Sequence, residues 1–171
     1  QNKIEQINAT GEKNSKKQDN PSNTKNLTLK PGTKITDKSS AAIYKVTGKN
    51  TVEYVKSSSK KKAIVIPESI TAKKIKYHVS SIAANAFKGN KKLKRVVISS
   101  NIRKIGRQAF FNCKNLRNIT IKTPYLSKKT VGTKAFKGIH AKAKIKVPKK
   151  QKKAYQKLLK AKGAGKKVTI K

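Results

Sequence analysis

The sequence predicts a solenoid of short repeats, each built from one β-strand and one short helical turn. Three observations carry this reading. The stretch IGRQAFFNCKNLRNITI at 105–121 has a close copy, IAANAFKGNKKLKRVVI, at 82–98, and a third, VGTKAFKGIHAKAKIKV, at 131–147. Equivalent residues recur at fixed offsets: Phe87 to Phe110 and Ile98 to Ile121 are 23 apart, and Phe110 to Phe136 and Ile121 to Val147 are 26 apart. Within each copy the apolar period changes halfway, from helical to alternating. One such unit cannot bury its apolar side alone, so copies must stack into a continuous core.

Each element follows from its residues. Ile105, Ala109 and Cys113 stand four apart with Phe110 beside Ala109, which predicts about two turns of short α- or 3₁₀-helix. Ile82–Ala86–Asn90 and Val131–Ala135–Ile139 repeat that spacing. Ile119 and Ile121 then alternate with Asn118, Thr120 and Lys122, as a strand with one buried face does. The longer spacing before the third copy falls in the connection KTPYLSKKT, where insertion is cheap.

Four segments result. Residues 1–30 are Lys-, Asn- and Ser-rich with almost no apolar cluster, which predicts a disordered arm or linker, with order beginning near Pro31. Residues 31–81 predict an N-terminal cap of β-hairpins. AAIYKVT and TVEYVKS flank a Gly48-Lys49-Asn50 turn; AIVIP follows, and SITAKKIKYHVSSI bends near Lys73-Lys74. Residues 82–147 hold the three repeats. Residues 148–171 predict a C-terminal cap of an amphipathic helix and a final strand, VTI. Pro148 suits the helix start, Ala154, Tyr155, Leu158 and Leu159 its apolar face, and Gly163 its stop.

The charge is extreme. There are 45 Lys and Arg against 6 Asp and Glu, a formal net charge of +39. All six carboxylates (Glu5, Glu12, Asp19, Asp37, Glu53 and Glu68) precede residue 69. The repeats therefore cannot supply paired carboxylates for acid–base work, nor the oxygen ligands of a hard-cation site. Cys113 stands alone, so no internal disulfide forms. No apolar window reaches membrane-span or signal-peptide length, and Gln1 in first place reads as a processed or trimmed chain.

The pattern Ile-Gly-x-x-Ala-Phe-x-x-Cys-x-x-Leu-x-x-Ile-x-Ile, complete at 105–121, resembles the BspA-type, or Treponema pallidum-type, leucine-rich repeat of bacterial surface proteins. The lead-in IVIPESITAKKIKYHVSSIAANAF at 64–87 is similar to that of such domains in clostridial surface proteins. The copies depart from the pattern: Asn90 and Ile139 replace the Cys, Lys142 the Leu, and Ala83 the Gly. The resemblance implies a leucine-rich repeat solenoid, secretion or cell-surface display, and adhesion or protein binding. It implies no catalytic residues and no cofactor, and such domains are also appended to larger proteins.

The sharper chemical readings fare worse than the plain ones. Cys113 could act as a nucleophile with His140 as base, but it fills a repeat position that the other copies give to Asn90 and Ile139. A buried Cys there is a small hydrophobe. His78 and His140 make a poor metal set without nearby Cys, Asp or Glu. GAGKK at 163–167 lacks the preceding strand of a phosphate loop. The basic helix at 149–162 fits a solenoid cap better than a helix that targets a membrane surface or a partner groove.

The lysines leave two readings open. They are a solvating surface, or they bind a polyanion. The outward strand positions Arg95, Asn118, Thr120, Lys122, Lys144 and Lys146, with Arg117 beside them, form the candidate binding surface. Teichoic acid, a sulfated glycan or a DNA backbone would be drawn to such a stripe, with strong salt dependence. Only four of the cations are Arg, and the four Phe are committed to the core or its edge, which disfavours sequence-specific nucleic-acid recognition. The sequence therefore predicts a monomeric, non-enzymatic, secreted or cell-surface module for adhesion or protein interaction. Its lysines would hold it on anionic wall polymer. The alternative is a basic polyanion- or nucleic-acid-binding protein without sequence specificity.

Overall fold

A computed structural model describes the backbone of residues 4–7 and all of residues 28–171. Among the described residues the strands form two sheets. The first contains β1 (Ile4–Ile7), β2 (Lys34–Asp37), β3 (Ala42–Gly48), β4 (Thr51–Ser57), β6 (Ser69–Ala72) and β7 (Ile75–Ile82), in the order β1-β2-β3-β4-β7-β6. The second contains β5 (Ala63–Ile66), β8 (Arg95–Ile98), β10 (Asn118–Ile121), β11 (Lys144–Lys146) and β12 (Thr169–Ile170). Its order is β12-β11-β10-β8-β5, and every pair is parallel. One short strand, β9 (Lys104–Ile105), joins the first sheet by pairing with the end of β7.

The parallel sheet is the solenoid itself. Its register places equivalent repeat residues side by side: Val96, Ile119 and Ile145 form one buried row, and Ile98 neighbours Ile121 in the next. The sheet extends beyond the three copies at both ends. β5, expected in the N-terminal cap, pairs with β8 as the first strand of the parallel sheet. Ile64 and Val96 are 32 residues apart rather than 23 or 26, so the repeat period conceals the relationship.

The expected helical turn of each repeat is a different structure. Among the described residues the α-helical segment is Lys152–Ala161, here α1, and the Ala-Phe segments are turns. Asn85, Gln108 and Lys134 all take positive φ (61°, 56° and 57°), and so do Gly89, Asn112 and Gly138 four residues later. Two left-handed residues four apart cannot sit in a right-handed helix. Hydrogen bonds between copies compensate. The N–H groups of Asn85, Phe87 and Gly89 donate to Arg107 O, Ala109 O and Phe111 O, and those of Gln108, Phe110 and Asn112 donate to Thr133 O, Ala135 O and Lys137 O. The four-residue spacing is real, but it reports a stacked turn whose partners lie in the neighbouring repeat.

Gly106 and Gly132 are required by this stacking. A Cβ on Gly132 would lie 2.3 Å from Arg107 N, and one on Gly106 would lie 2.2 Å from Ala84 N. Ala83 occupies the same position in the first copy, where the chain beneath is β4: its N–H donates to Tyr54 O, as Gly106 N–H does to Ile82 O. β4 thus stands in for a preceding repeat. An aromatic column makes the same substitution. Tyr54 stacks on Phe87 at 5.4 Å, Phe87 on Phe110 at 5.1 Å and Phe110 on Phe136 at 5.5 Å, while Tyr44 meets Tyr54 edge-on.

Three expectations for the ends are corrected. The hairpins β3–β4 and β6–β7 form as expected, the second turning at Lys73-Lys74. Of the arm expected to be disordered, residues 1–3 and 8–27 lie outside the described residues. Ile4–Ile7, however, is a strand parallel to β2, and Leu29 N–H donates to the buried Tyr77 hydroxyl, so order starts before Pro31. A four-residue strand is too short for its pattern to stand out in polar sequence. At the other end α1 buries Tyr155, Leu158 and Leu159 but leaves Ala154 exposed. Gly163, at φ +105°, ends the helix: its N–H donates to Lys160 O, Ala164 N–H donates to Leu159 O, and Lys162 O accepts from Phe136.

The connection KTPYLSKKT is more than tolerated spacing. Tyr155 Oη donates to Thr123 O at 2.7 Å and accepts from Leu126 N–H at 3.0 Å, both buried, and Thr123 Oγ1 donates to Ile102 O. The insertion is itself tied to the terminal helix and, through Thr123, to the chain at Ile102. In the third copy Lys142, at the Leu position, is exposed, and the next residue, Ala143, is buried instead.

Candidate functional site

Strand alternation decides which side chains can meet a partner. In the parallel sheet one row of outward residues runs Ala63, Arg95, Asn118, Lys144, Thr169 across five strands. The next runs Val65, Val97, Thr120, Lys146. Strands lie about 4.8 Å apart, so each row is a closely spaced ladder of side chains.

Arg95, Asn118, Thr120, Lys144 and Lys146, all expected from sequence, line one groove of about 360 Å³ together with Val97 and Lys171. Arg117 and Lys122 are exposed but lie outside it, at the two ends of β10. Arg117 N–H donates to Lys94 O before the strand, and Lys122 N–H donates to Ile98 O after it. The sequence reading missed Val65, Val97 and Lys171. Alternation within AIVI and RVVI points the first two outward; their register with β10 was the missing information.

The face is graded. Its β5 end is apolar, with Val65 66% exposed, and its β11–β12 end carries Lys144, Lys146 and Lys171. None of the groove cations has an ion-pair partner among the described residues. The nearest carboxylates in sequence are engaged elsewhere: Glu53 pairs with Lys45 at 3.2 Å, and Glu68 accepts from Ser100 Oγ at 2.7 Å. Asp37 is buried. Burial raises the pKa of its carboxyl, but hydrogen bonds from Ser40 and Ser39 outweigh this and hold it below the usual range.

Cys113 is part of the core. It is fully buried, its Sγ–H donates to Phe87 O, and burial pushes the thiol up to about 11, so it is neither accessible nor ionised near neutral pH. His140 Nδ1 accepts the Lys142 N–H at 3.2 Å and shapes a turn. Asn90 does the same two copies earlier, with Oδ1 accepting from Lys92 and Leu93 N–H. Among the described residues no three His, Cys, Asp or Glu cluster as metal ligands would, and no helix is long and apolar enough to cross a membrane.

The chain belongs to the BspA type leucine rich repeat family: that repeat region matches residues 66–171, more than half of the chain, in six copies. Solved structures are similar, and the first of them shares the fold. A leucine rich cell surface protein from Faecalibacterium prausnitzii A2-165 is 23% identical with a TM-score of 0.52, over 68% of this chain and 37% of its own. This chain therefore spans little more than a third of that protein. A leucine-rich repeat protein from Bacteroides capillosus ATCC 29799 is 15% identical at TM-score 0.47, over 77% of this chain and 95% of its own. The T. pallidum leucine rich repeat protein is 18% identical at TM-score 0.46, over 66% and 72%. No curated protein is significantly similar in sequence.

Proposed function

We propose that this chain is a non-enzymatic interaction module of a secreted or cell-surface protein, and that its partner docks on the outward face of the parallel sheet. The observation that carries this reading is the groove: five outward side chains expected from the repeat pattern converge there, and its cations lack ion-pair partners among the described residues. The family and the Faecalibacterium surface protein support a role in adhesion or protein binding. The net charge of +39 further supports retention on an anionic wall polymer such as teichoic acid or a sulfated glycan, and it opposes self-association.

A binding screen against wall polymer, sulfated glycan, duplex DNA and matrix protein, repeated across a salt series, tests both parts. Retention predicts tight binding to wall polymer at low salt that vanishes at high salt. Salt-insensitive binding, or none at low salt, would sink it. Lys144→Ala/Lys146→Ala should weaken groove-directed binding and reduce the salt slope by roughly two. Preference for DNA over polymers of matched charge density would favour the nucleic-acid reading instead. Against that reading, the exposed large aromatic among the described residues is Tyr125, which is occupied beneath the Arg103 guanidinium at 4.1 Å.

A further inference from the structure

The parallel sheet has an open edge at β5. Among the described residues β5 pairs only with β8, and no strand lies on its other side. Lys62 O accepts from Lys94 and Arg95 N–H, toward β8. Peptide groups alternate in direction along a strand, so those of Ile64 and Ile66 also face β8, and those of Ala63 and Val65 face outward.

Folded proteins usually blunt such an edge with a charged residue, a proline or a bulge. Within its four residues β5 has no charge, proline or bulge; its protection is confined to its shortness, the lysines before it and Pro67 after it. Its sequence is Ala-Ile-Val-Ile, its register with β8 runs unbroken from Ala63–Arg95 to Ile66–Ile98, and Val65 stands exposed on the outward face. What precedes it is positive: Lys60, Lys61 and Lys62, all exposed, lead directly into the strand, while Glu68 past its other end is bonded to Ser100. A second copy of this chain is a poor occupant. Stacking its β12 edge here would set Lys166, Lys167 and Lys171 against Lys60–Lys62, between two bodies of like charge.

We propose that the β5 edge accepts an extended, acidic segment of a partner protein, which adds to the sheet as a sixth strand. The Ala63 and Val65 peptide groups bond to its main chain, Val65 packs against an apolar side chain on its outward face, and the three lysines neutralise its carboxylates. This edge lies beyond the groove, whose lining begins one strand away at Arg95 and Val97 of β8.

The test uses the full chain and a labelled peptide alternating glutamate with valine, at a salt concentration that suppresses diffuse attraction. Val65→Pro removes the outward N–H while leaving the bonds to β8, a position where an edge strand tolerates proline. Binding should weaken about tenfold, as loss of one main-chain hydrogen bond and the valine contact implies. Polyglutamate with proline at alternate positions, which cannot form a strand, should bind both proteins equally. If Val65→Pro does not fold, amide exchange on the unaltered protein decides: the Ala63 and Val65 amides should exchange freely alone and become protected with peptide. Equal affinity of the folded variant, unprotected amides in the complex, or amides already protected in the free chain each overturn the proposal. Self-association through this edge, seen as concentration-dependent protection without peptide, also overturns it. Loss of binding in Lys144→Ala/Lys146→Ala but not Val65→Pro would place the peptide in the groove instead.

Discussion

On the inward face of the parallel sheet, Val96, Ile119 and Ile145 form one row and Ile98 neighbours Ile121. On the outward face the neighbouring row changes at every step, from Ala63 through Arg95 and Asn118 to Lys144. The same strands carry both rows, so the contrast comes from surroundings and not from backbone. An inward residue must fit its copies above and below and the packed core in front of it; an outward residue has strand neighbours too, but faces solvent, where side chains can adjust. Recognition can therefore vary only on the outward letters and at the sheet's edges, while the inward letters keep the stack together.

Substitutions can sharpen or break that division. The largest loss is expected for Phe110→Ala, in the middle of the aromatic column: about 3–5 kcal/mol in denaturant unfolding, with a single cooperative transition shifted to lower denaturant. Gly132→Ala should cost about 1–3 kcal/mol, because its Cβ meets the backbone of the preceding copy. Ala83→Gly, at the same position over β4, should cost less than about 1 kcal/mol. Equal losses at the two positions would refute the stacking explanation for the glycines.

Tyr155→Phe is expected to cost about 1–3 kcal/mol, since it strands the buried Thr123 O and Leu126 N–H. Thermal unfolding with Leu126 amide exchange measures it. Cys113 should resist a thiol reagent at mildly alkaline pH in the folded chain and react fully in denaturant. Its raised pKa also has a signed consequence for stability. The folded state holds the thiol proton more tightly than the unfolded state, so this contribution is complete below the ordinary value of 9.0 and is lost as pH rises toward about 11. The stability gap between the native chain and Cys113→Ala should narrow over that range.

The smallest stability effect belongs to the outward face. Lys144→Ala/Lys146→Ala should change unfolding free energy by less than about 0.5 kcal/mol while reducing polyanion binding. A large loss of stability there, or unchanged binding, would erase the distinction between the two faces.

Much of this was legible in the residues. The recurrence of Phe87, Phe110 and Phe136 and the alternation of Asn118–Ile121 fixed the stack, the strand and its outward side, because a repeat's inward positions must satisfy identical neighbours. Cys113 could be read as core from Asn90 and Ile139 in the same place. The turns could not be read correctly, because a four-residue spacing suits a helix and a stacked turn equally; hydrogen bonds to the next copy decide between them. Nor could β5 be assigned, since its spacing to β8 departs from the period and only pairing reveals it. The sequence by itself determined that units stack and which letters face inward, through periodicity. The tertiary structure alone decided which of the lysines meet in one groove, that β4 replaces a missing repeat beneath Ala83, and where the sheet is left open. Those outcomes depend on register between distant strands, which no local pattern encodes.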